Sequence, residues 1–175
     1  MTTSESLNEI GRRYGTDKGM RHTYLDVYEQ LLAGRRCEST TLLEIGVLEG
    51  ASLQMWREYL GGKIYWVDND PRRRWEGNTE GCTVLFGDAT NREFTESIAP
   101  DNFFDIIIDD GSHKEEDQLL SYCLLLPKLK RDGLYIVEDF QSEAAIRYFA
   151  ALGAVIIDRR SVKSQPDDVL AILCR

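Results

Sequence analysis

The chain has 175 residues, of which 42% are hydrophobic, and its formal net charge is −9. This length is enough for one domain with a buried core and too short for two. The acidic balance excludes a nucleic acid or an anionic membrane as the expected partner, because either requires a basic surface. We therefore expect one globular domain, 1–175, whose charge is compatible with a small cationic ligand.

The cysteines and the N-terminus indicate the cellular compartment. Cys37, Cys82, Cys123 and Cys174 are scattered, with no CxxC motif and no zinc-ligand spacing. This pattern is typical of free thiols in a reducing compartment. The N-terminus MTTSESLNEI lacks the apolar core of a signal peptide, and no apolar run approaches the ~20 residues of a membrane span. These features predict a cytoplasmic protein without a membrane partner.

Strand-length apolar runs alternate with helix-length periodic segments along the chain. Residues 1–36 are expected to form a polar, helical N-terminal arm, followed by an α/β core over 37–175. The predicted strands are 40–46, 63–68, 82–88, 104–110, 133–139, 154–160 and 168–175. The predicted helices are 51–60, 90–98, 115–129, with an end near Pro127, and 142–152.

Two of these strands indicate how the sheet is built. Strand 104–110 is apolar on both faces, which is typical of the middle of a parallel sheet. The connection between the last two strands, 161–167, is too short for a parallel crossover, so these strands should form an antiparallel hairpin. The sequence therefore predicts an alternating βα sheet that ends in a hairpin.

Ligands of open α/β sheets bind beyond the carboxyl ends of the strands. The first strand ends at Gly46, and Gly50 follows in a tight turn where glycine lets backbone amides approach a ligand. Asp68 ends the second strand, 22 residues beyond Gly46, close to the offset at which an acid binds a ribose. Asp88 ends the third strand. It suits a bond from an adenine amino group, or equally the N-cap of the helix at 90–98.

The fourth and fifth strands end in four acids: Asp109, Asp110, Glu138 and Asp139. Neighbouring strands would bring these carboxylates close together, where they repel each other. A hard divalent cation such as Mg²⁺ would relieve the repulsion. The alternative is a solvated rim in which some of the acids cap helices.

His113 follows the fourth strand at the predicted start of a helix. Ser112 and Glu115 fit a capping box there. A helix N-terminus favours the neutral imidazole, which is a competent general base. The same position is equally compatible with a structural role for His113.

Several motifs together resemble a known family. They are LLEIGVLEGASLQMW, IYWVDNDP, GDAT, FDIIIDDGSH, GLYIVEDF and the N-terminal YGTDKGMRHTYLDVYEQLL. The set is similar to class I S-adenosylmethionine-dependent methyltransferases. More narrowly, it resembles the metal-dependent sugar O-methyltransferases of antibiotic biosynthesis, of the macrocin and mycinamicin type. The resemblance covers about residues 10–175.

The resemblance implies a Rossmann-like fold: a seven-stranded, mostly parallel sheet with helices on both faces and a C-terminal antiparallel hairpin. It implies an Mg²⁺-dependent O-methyltransferase that moves a methyl group from S-adenosylmethionine to a hydroxylated small molecule, such as a sugar of a glycosylated natural product. A catechol-like or other vicinal-diol acceptor is an alternative, although such enzymes commonly carry Asp-Asn in place of Glu138–Asp139. A second alternative is a module that binds S-adenosylmethionine without catalysing a reaction.

The same resemblance implies roles for individual residues. His113 would be the catalytic base, and the metal ligands would be Asp110, Glu138 and Asp139. The cofactor-binding residues would be Glu44, Gly46, Gly50 and Ser52 on the methionine part, Asp68 on the ribose, Asp88 on the adenine side, and Asp109 in support.

Larger members of this group carry an additional N-terminal domain, where this chain shows only the short arm. This departure leaves open how the site closes over its substrate and whether the chain forms a homo-oligomer. The sequence does not predict which acceptor is methylated, since fold does not determine substrate.

Overall fold

The computed structural model describes residues 5–46, 48–70, 72 and 81–175. Within these ranges the strands are β1 Thr41–Ile45, β2 Lys63–Asp68, β3 Cys82–Phe86, β4 Phe104–Asp109, β5 Leu129–Glu138, β6 Val155–Asp158 and β7 Val169–Cys174. The helices are α1 Leu7–Tyr14, α2 Asp17–Met20, α3 Leu25–Leu32, α4 Ala51–Leu60, α5 Arg92–Ile98, α6 Glu115–Leu125, α7 Glu143–Ala151 and α8 Arg160–Lys163.

The strands form one sheet in the order β3-β2-β1-β4-β5-β7-β6. The pairs among β1 to β5 are parallel, whereas β7 is antiparallel to both β5 and β6. The predicted mostly parallel sheet and its terminal hairpin are therefore confirmed. β5 begins earlier than predicted, because Leu129 pairs with Phe104 before a register shift.

Helices cover both faces of the sheet. On one face α1, α3 and α4 pack through Leu7, Leu25 and Trp56 against strand residues such as Ile106 and Ile136. On the other face α5, α6 and α7 pack against the opposite sides of the same strands. The described part of the predicted N-terminal arm is helical, as expected, but it is an integral layer of the core rather than an appendage.

None of the helices in the described ranges has the length and apolarity that a membrane span requires.

The amino ends of β1, β4 and β5 are joined by one carboxylate. Asp105 Oδ2 accepts hydrogen bonds from the Thr41 backbone N–H at 2.8 Å, the Thr41 hydroxyl at 2.9 Å and Lys130 Nζ at 2.8 Å. Burial by itself would raise the pKa of Asp105, but the Lys130 and Thr41 donors outweigh it and lower the pKa below its usual value. The charged form of Asp105 therefore stabilises the fold.

We expect Asp105→Asn to lower the free energy of unfolding by about 1–3 kcal/mol at pH 7, because hydrogen bonds to a charged group are lost. A depressed pKa contributes stability that is present above the unfolded pKa of about 3.9 and lost as the pH falls through the folded value. In urea unfolding, the difference from wild type should therefore shrink as the pH is lowered to about 3. Asp101→Asn is the control: its carboxylate is 63% exposed and pairs with Lys128, so its loss should cost under about 1 kcal/mol. A loss that does not vary with pH would contradict the assignment to charge.

Candidate active site

A cavity of about 730 Å³ opens at the carboxyl edge of the sheet. Its size is within the range of small-molecule sites, and its place is where ligands bind in open α/β sheets. The ends of β1 to β5 and the first helices of the chain contribute to its wall. The lining includes Gly15, Arg21, His22, Ile45, Gly46, Leu48, Ser52, Val67, Asp68, Gly87, Asp88, Asp109, Asp110, His113, Asp117, Ser121 and Asp139.

Most of the predicted site residues line this cavity, but three do not: Glu44, Gly50 and Glu138. Glu44 is fully buried behind the cavity, where it accepts hydrogen bonds from Ser52 Oγ at 2.8 Å and Trp56 Nε1 at 3.4 Å. Gly50 is the N-cap of α4, with a left-handed φ of 76°. Its conformation explains the glycine without a ligand contact.

Gly46 lets two strand-end loops approach each other. Its φ is 85°, and a Cβ atom placed on it would lie 2.1 Å from the backbone carbonyl oxygen of Asp110. No side chain fits at this position, so glycine is required for the loop after β4 to pass the loop after β1. The close approach places Asp110 at the cavity.

The acids after β2 and β3 line the cavity and also order their own turns. Asp68 Oδ1 accepts a hydrogen bond from the Asp70 backbone N–H at 2.8 Å. Asp88 Oδ1 accepts from the backbone and the hydroxyl of Thr90. The alternative that Asp88 caps the next helix is wrong, because Asn91 is the N-cap of α5.

Asp110, His113 and Asp139 form the centre of the site. One ligand atom from each lies within 4.8 Å of the other two. The backbones of His113 and Asp139 both adopt the left-handed conformation, with φ of 58°. His113 Nδ1 is buried, and no described residue hydrogen-bonds to it. A buried nitrogen without a partner beside two carboxylates is an arrangement that a cation can satisfy.

The predicted capping box at the start of α6 is wrong. The N-cap is Lys114, Ser112 Oγ donates to Asp117, and Glu115 accepts from Ser142 Oγ at 3.0 Å. The left-handed turn at His113 displaces Ser112 from the N-cap position. His113 therefore lies in the loop before the helix rather than in its first turn.

Lys18 of α2 enters this acidic region from the N-terminal segment. Its side chain is 1% exposed, and Nζ lies 2.6 Å from Asp110 Oδ2, 2.8 Å from Glu138 Oε1 and 3.2 Å from Glu44 Oε1. Burial by itself would lower the pKa of the Lys18 ammonium, but the three carboxylates outweigh burial and raise it well above its usual value. Lys18 is therefore a permanent internal cation.

One ammonium does not neutralise three carboxylates, of which Glu44 and Glu138 are buried and Asp110 is partly exposed. Burial raises the pKa of Glu44 and of Glu138, although Lys18 acts in the opposite direction. Burial likewise raises the pKa of Asp139. Burial therefore disfavours the ionised forms of these carboxylates, and a further positive charge beside them would stabilise those forms.

Aromatic side chains of the N-terminal segment hold the acids after β5. Tyr24 donates from its hydroxyl to Asp139 Oδ1 at 2.6 Å, and Tyr28 donates to Glu138 Oε1 at 2.5 Å. Glu138 therefore uses Oε1 for both Lys18 and Tyr28, and it does not belong to the group formed by Asp110, His113 and Asp139.

Asp109 lies beneath the centre of the site and is 3% exposed. It accepts hydrogen bonds from Ser121 Oγ and, at 3.3 Å, from the Gly111 backbone N–H. Burial raises its pKa to about 6, against the effect of these two donors. Asp109 thereby anchors the loop that carries Asp110 to the helix α6.

Sequence reasoning missed Lys18, His22, Tyr24 and Tyr28 as parts of the site, because it treated residues 1–36 as a polar arm. One available signal was the spacing of Tyr24 and Tyr28, four residues apart on one helical face. The apolar spacing of Leu25, Tyr28 and Leu32 also indicates a face buried against the core.

Comparison with known proteins identifies the family of the chain. Residues 43–140, more than half of the chain, match the methyltransferase domain family. The chain belongs to this family. The match runs from β1 to the end of β5 and so includes each strand end that lines the cavity.

Curated methyltransferases are similar to most of the chain. An 8-demethyl-8-alpha-L-rhamnosyl tetracenomycin-C 2'-O-methyltransferase of Streptomyces olivaceus is 38% identical over 78% of this chain and 38% of its own length. Demethylmacrocin O-methyltransferase of Streptomyces fradiae is 35% identical over 76% of this chain and 36% of its own length. The chain thus spans less than half the length of these relatives.

Solved methyltransferase structures share the fold. The MycE methyltransferase of the mycinamycin biosynthetic pathway, in complex with Mg, SAH and mycinamycin VI, superposes with a TM-score of 0.66 at 31% identity. The superposition covers 77% of this chain and 39% of that one. The seven-stranded methyltransferase fold expected from the sequence is therefore confirmed.

We expect Lys18→Met to lower the free energy of unfolding by about 3–5 kcal/mol in metal-free buffer, because breaking a buried ion pair leaves uncompensated buried charge. Urea denaturation monitored by circular dichroism measures this loss. Lys130→Met is the matched control: the Lys130 side chain is 39% exposed, and its ammonium pairs with Asp105. A loss for Lys18→Met no larger than for this control would contradict the central role of the buried ammonium.

Proposed function

We propose that this chain is the catalytic domain of an Mg²⁺-dependent O-methyltransferase. It moves the methyl group of S-adenosylmethionine to a hydroxyl of a small molecule, in particular a sugar hydroxyl of a glycosylated natural product. The observation that carries the proposal is the meeting of Asp110, His113 and Asp139 at the cavity wall. The named relatives support it, since their own acceptors are rhamnosyl tetracenomycin and demethylmacrocin.

S-adenosylmethionine would lie along the carboxyl edge of β1, β2 and β3. The turn at Gly46 and the hydroxyl of Ser52 would face its methionine part, Asp68 the ribose, and Asp88 the adenine side. Glu44, held by Ser52 and Lys18, would support this wall from behind rather than contact the cofactor. Acidic groups around the cavity also favour a sulfonium cation over a neutral ligand.

The residues present fit a hard divalent cation. Asp110 and Asp139 line the cavity and would hold Mg²⁺, which prefers oxygen ligands. Glu138 is buried and does not line the cavity, so it would join them only through the oxygen that does not bond to Lys18 and Tyr28. Lys18 engages one oxygen of Asp110 and one of Glu138, so each keeps a second oxygen for a cation. The raised pKa values of Glu138 and Asp139 express the same need for positive charge.

In this proposal the cofactor supplies the methyl group, and the metal, when bound, acidifies the acceptor hydroxyl. His113 accepts the hydroxyl proton at a ring nitrogen as the oxygen–carbon bond forms and the carbon–sulfur bond breaks. Tyr24 and Lys18 hold Asp139 and Asp110 in place during the reaction. The protein thus contributes mainly positioning and proton removal.

Two alternatives remain distinguishable by experiment. A catechol-like or other vicinal-diol acceptor would use the same residues, so an acceptor panel separates it. A module that binds S-adenosylmethionine without catalysis would bind the cofactor and release no methylated product. The presence of His113 beside two cavity acids favours catalysis. We also propose a cytoplasmic location, in keeping with the free cysteines Cys37, Cys82, Cys123 and Cys174.

We expect the purified chain to transfer labelled methyl groups to at least one member of an acceptor panel. The panel contains α-L-rhamnosyl tetracenomycin, demethylmacrocin, methyl α-L-rhamnopyranoside and a catechol. EDTA should abolish transfer, and added Mg²⁺ should restore it. Without the metal, Lys18 is the only cation proposed to contact these acids, and nothing acidifies the acceptor hydroxyl. Cofactor binding in calorimetry without any methyl transfer would favour the non-catalytic module. Full activity in EDTA would contradict the proposed requirement for a metal.

His113→Ala should lower turnover by about 10²–10⁴-fold, because the general base is lost. The affinity for S-adenosylmethionine, measured by calorimetry, should stay near that of wild type, since the cofactor would bind to β1, β2 and β3. Turnover equal to wild type would show that another group removes the proton.

A further inference from the structure

A second imidazole, that of His22, lines the same cavity. It is 3% exposed and follows α2, so it enters from the N-terminal segment rather than from a strand end. Its ring is stacked on that of Tyr24, with centroids 5.1 Å apart and planes 13° apart. Burial and stacking together hold the ring in one orientation.

The hydrogen-bond partners of His22 determine its tautomer. Nδ1 lies 3.3 Å from Asp168 Oδ1 and 3.4 Å from Asp139 Oδ1. Both partners are carboxylates, which only accept, so Nδ1 carries a hydrogen. Asp168 is fully buried and is itself held by the Thr23 hydroxyl, which donates to Oδ2 at 3.1 Å. A fixed carboxylate therefore sets the direction of the ring.

The other ring nitrogen, Nε2, has no hydrogen-bond partner among the described residues. In the neutral ring with a hydrogen on Nδ1, this nitrogen carries the lone pair. An oriented imidazole that lines a ligand cavity and has one nitrogen to spare is built to hydrogen-bond a bound molecule. Its partner Asp139 belongs to the acid cluster, so such a molecule would lie beside the reacting group.

We propose that His22 is an acceptor-binding residue whose Nε2 forms a hydrogen bond with a hydroxyl next to the one that is methylated. The proposal rests on the proposed O-methyltransferase function and adds the acceptor class: a sugar or other polyol with two neighbouring hydroxyls. Asp110, His113 and Asp139 serve the reacting hydroxyl, and His22 serves its neighbour. Asp168 is a positioning residue, because it acts only through the ring of His22.

Two conservative variants separate the two ring nitrogens. His22→Asn places an amide N–H near the position of Nδ1, which keeps the bond to Asp168 and removes the group at Nε2. His22→Gln places an amide near the position of Nε2 and loses the bond at Nδ1. If Nε2 binds the acceptor, His22→Asn should lower kcat/KM for methyl α-L-rhamnopyranoside by about tenfold or more, mainly through KM. His22→Gln should stay closer to wild type.

The opposite order, with His22→Gln the more impaired, would overturn the proposal and leave His22 a structural role through Asp168. Equal impairment of both variants, or wild-type kinetics in both, would overturn it as well. S-adenosylmethionine affinity by calorimetry and the thermal unfolding midpoint are the controls, and both should be unchanged in His22→Asn.

A test on the wild-type protein does not depend on whether the variants fold. Deoxy analogues of the rhamnoside that each lack one hydroxyl next to the methylated position should include one with kcat/KM lowered by about tenfold or more. Analogues that all react as well as the parent sugar would overturn the proposal. Absence of methyl transfer to any acceptor would instead refute the proposed function on which the assignment of His22 rests.

Discussion

The rest of the site depends on the ion pairs that the buried ammonium of Lys18 forms with three carboxylates. Three carboxylates from three different strand ends, Glu44, Asp110 and Glu138, surround it within 3.2 Å. Glu44 and Glu138 are almost fully buried, so neither would tolerate ionisation without a partner. The same contact fastens the N-terminal helices to the carboxyl edge of the sheet. Folding of the helices α1 to α3 and assembly of the site are therefore coupled.

The balance of charge around Lys18 also indicates which ligands the site favours. One buried cation among several acids leaves pKa values of Glu44, Glu138 and Asp139 raised by burial. A divalent cation and a sulfonium ligand would each supply missing positive charge.

The directions of the strands and the central place of β4 could be predicted because they depend on local patterns. The isoleucines of β4, apolar on both faces, mark the centre of the sheet, and the short connection after β6 allows only an antiparallel return. Which acids lie at the ligand edge follows directly, since parallel strands end at the same edge. The placement of four acids at this edge could be predicted in this way: Asp68, Asp88, Asp109 and Asp110.

The contacts of the N-terminal segment could not be predicted in the same way. The contact of Lys18 with Glu138 spans 120 positions of sequence, and no local pattern reports a partner at that distance. The capping box failed for a related reason: Ser112 and Glu115 have the right spacing, but the left-handed turn at His113 sends both side chains to other partners. Lys18 in the motif GTDKG indicates a role in the site only once the acids that it contacts are known.

The most direct test of this account is a crystal structure of the chain soaked with Mn²⁺ and S-adenosylhomocysteine, with the metal located by its anomalous scattering. We expect one strong peak in the cavity bounded by Asp110 and Asp139, with Lys18 still bonded to Asp110 and the cofactor product along β1 to β3. A cavity without a metal peak, or a peak remote from Asp110 and Asp139, would contradict it.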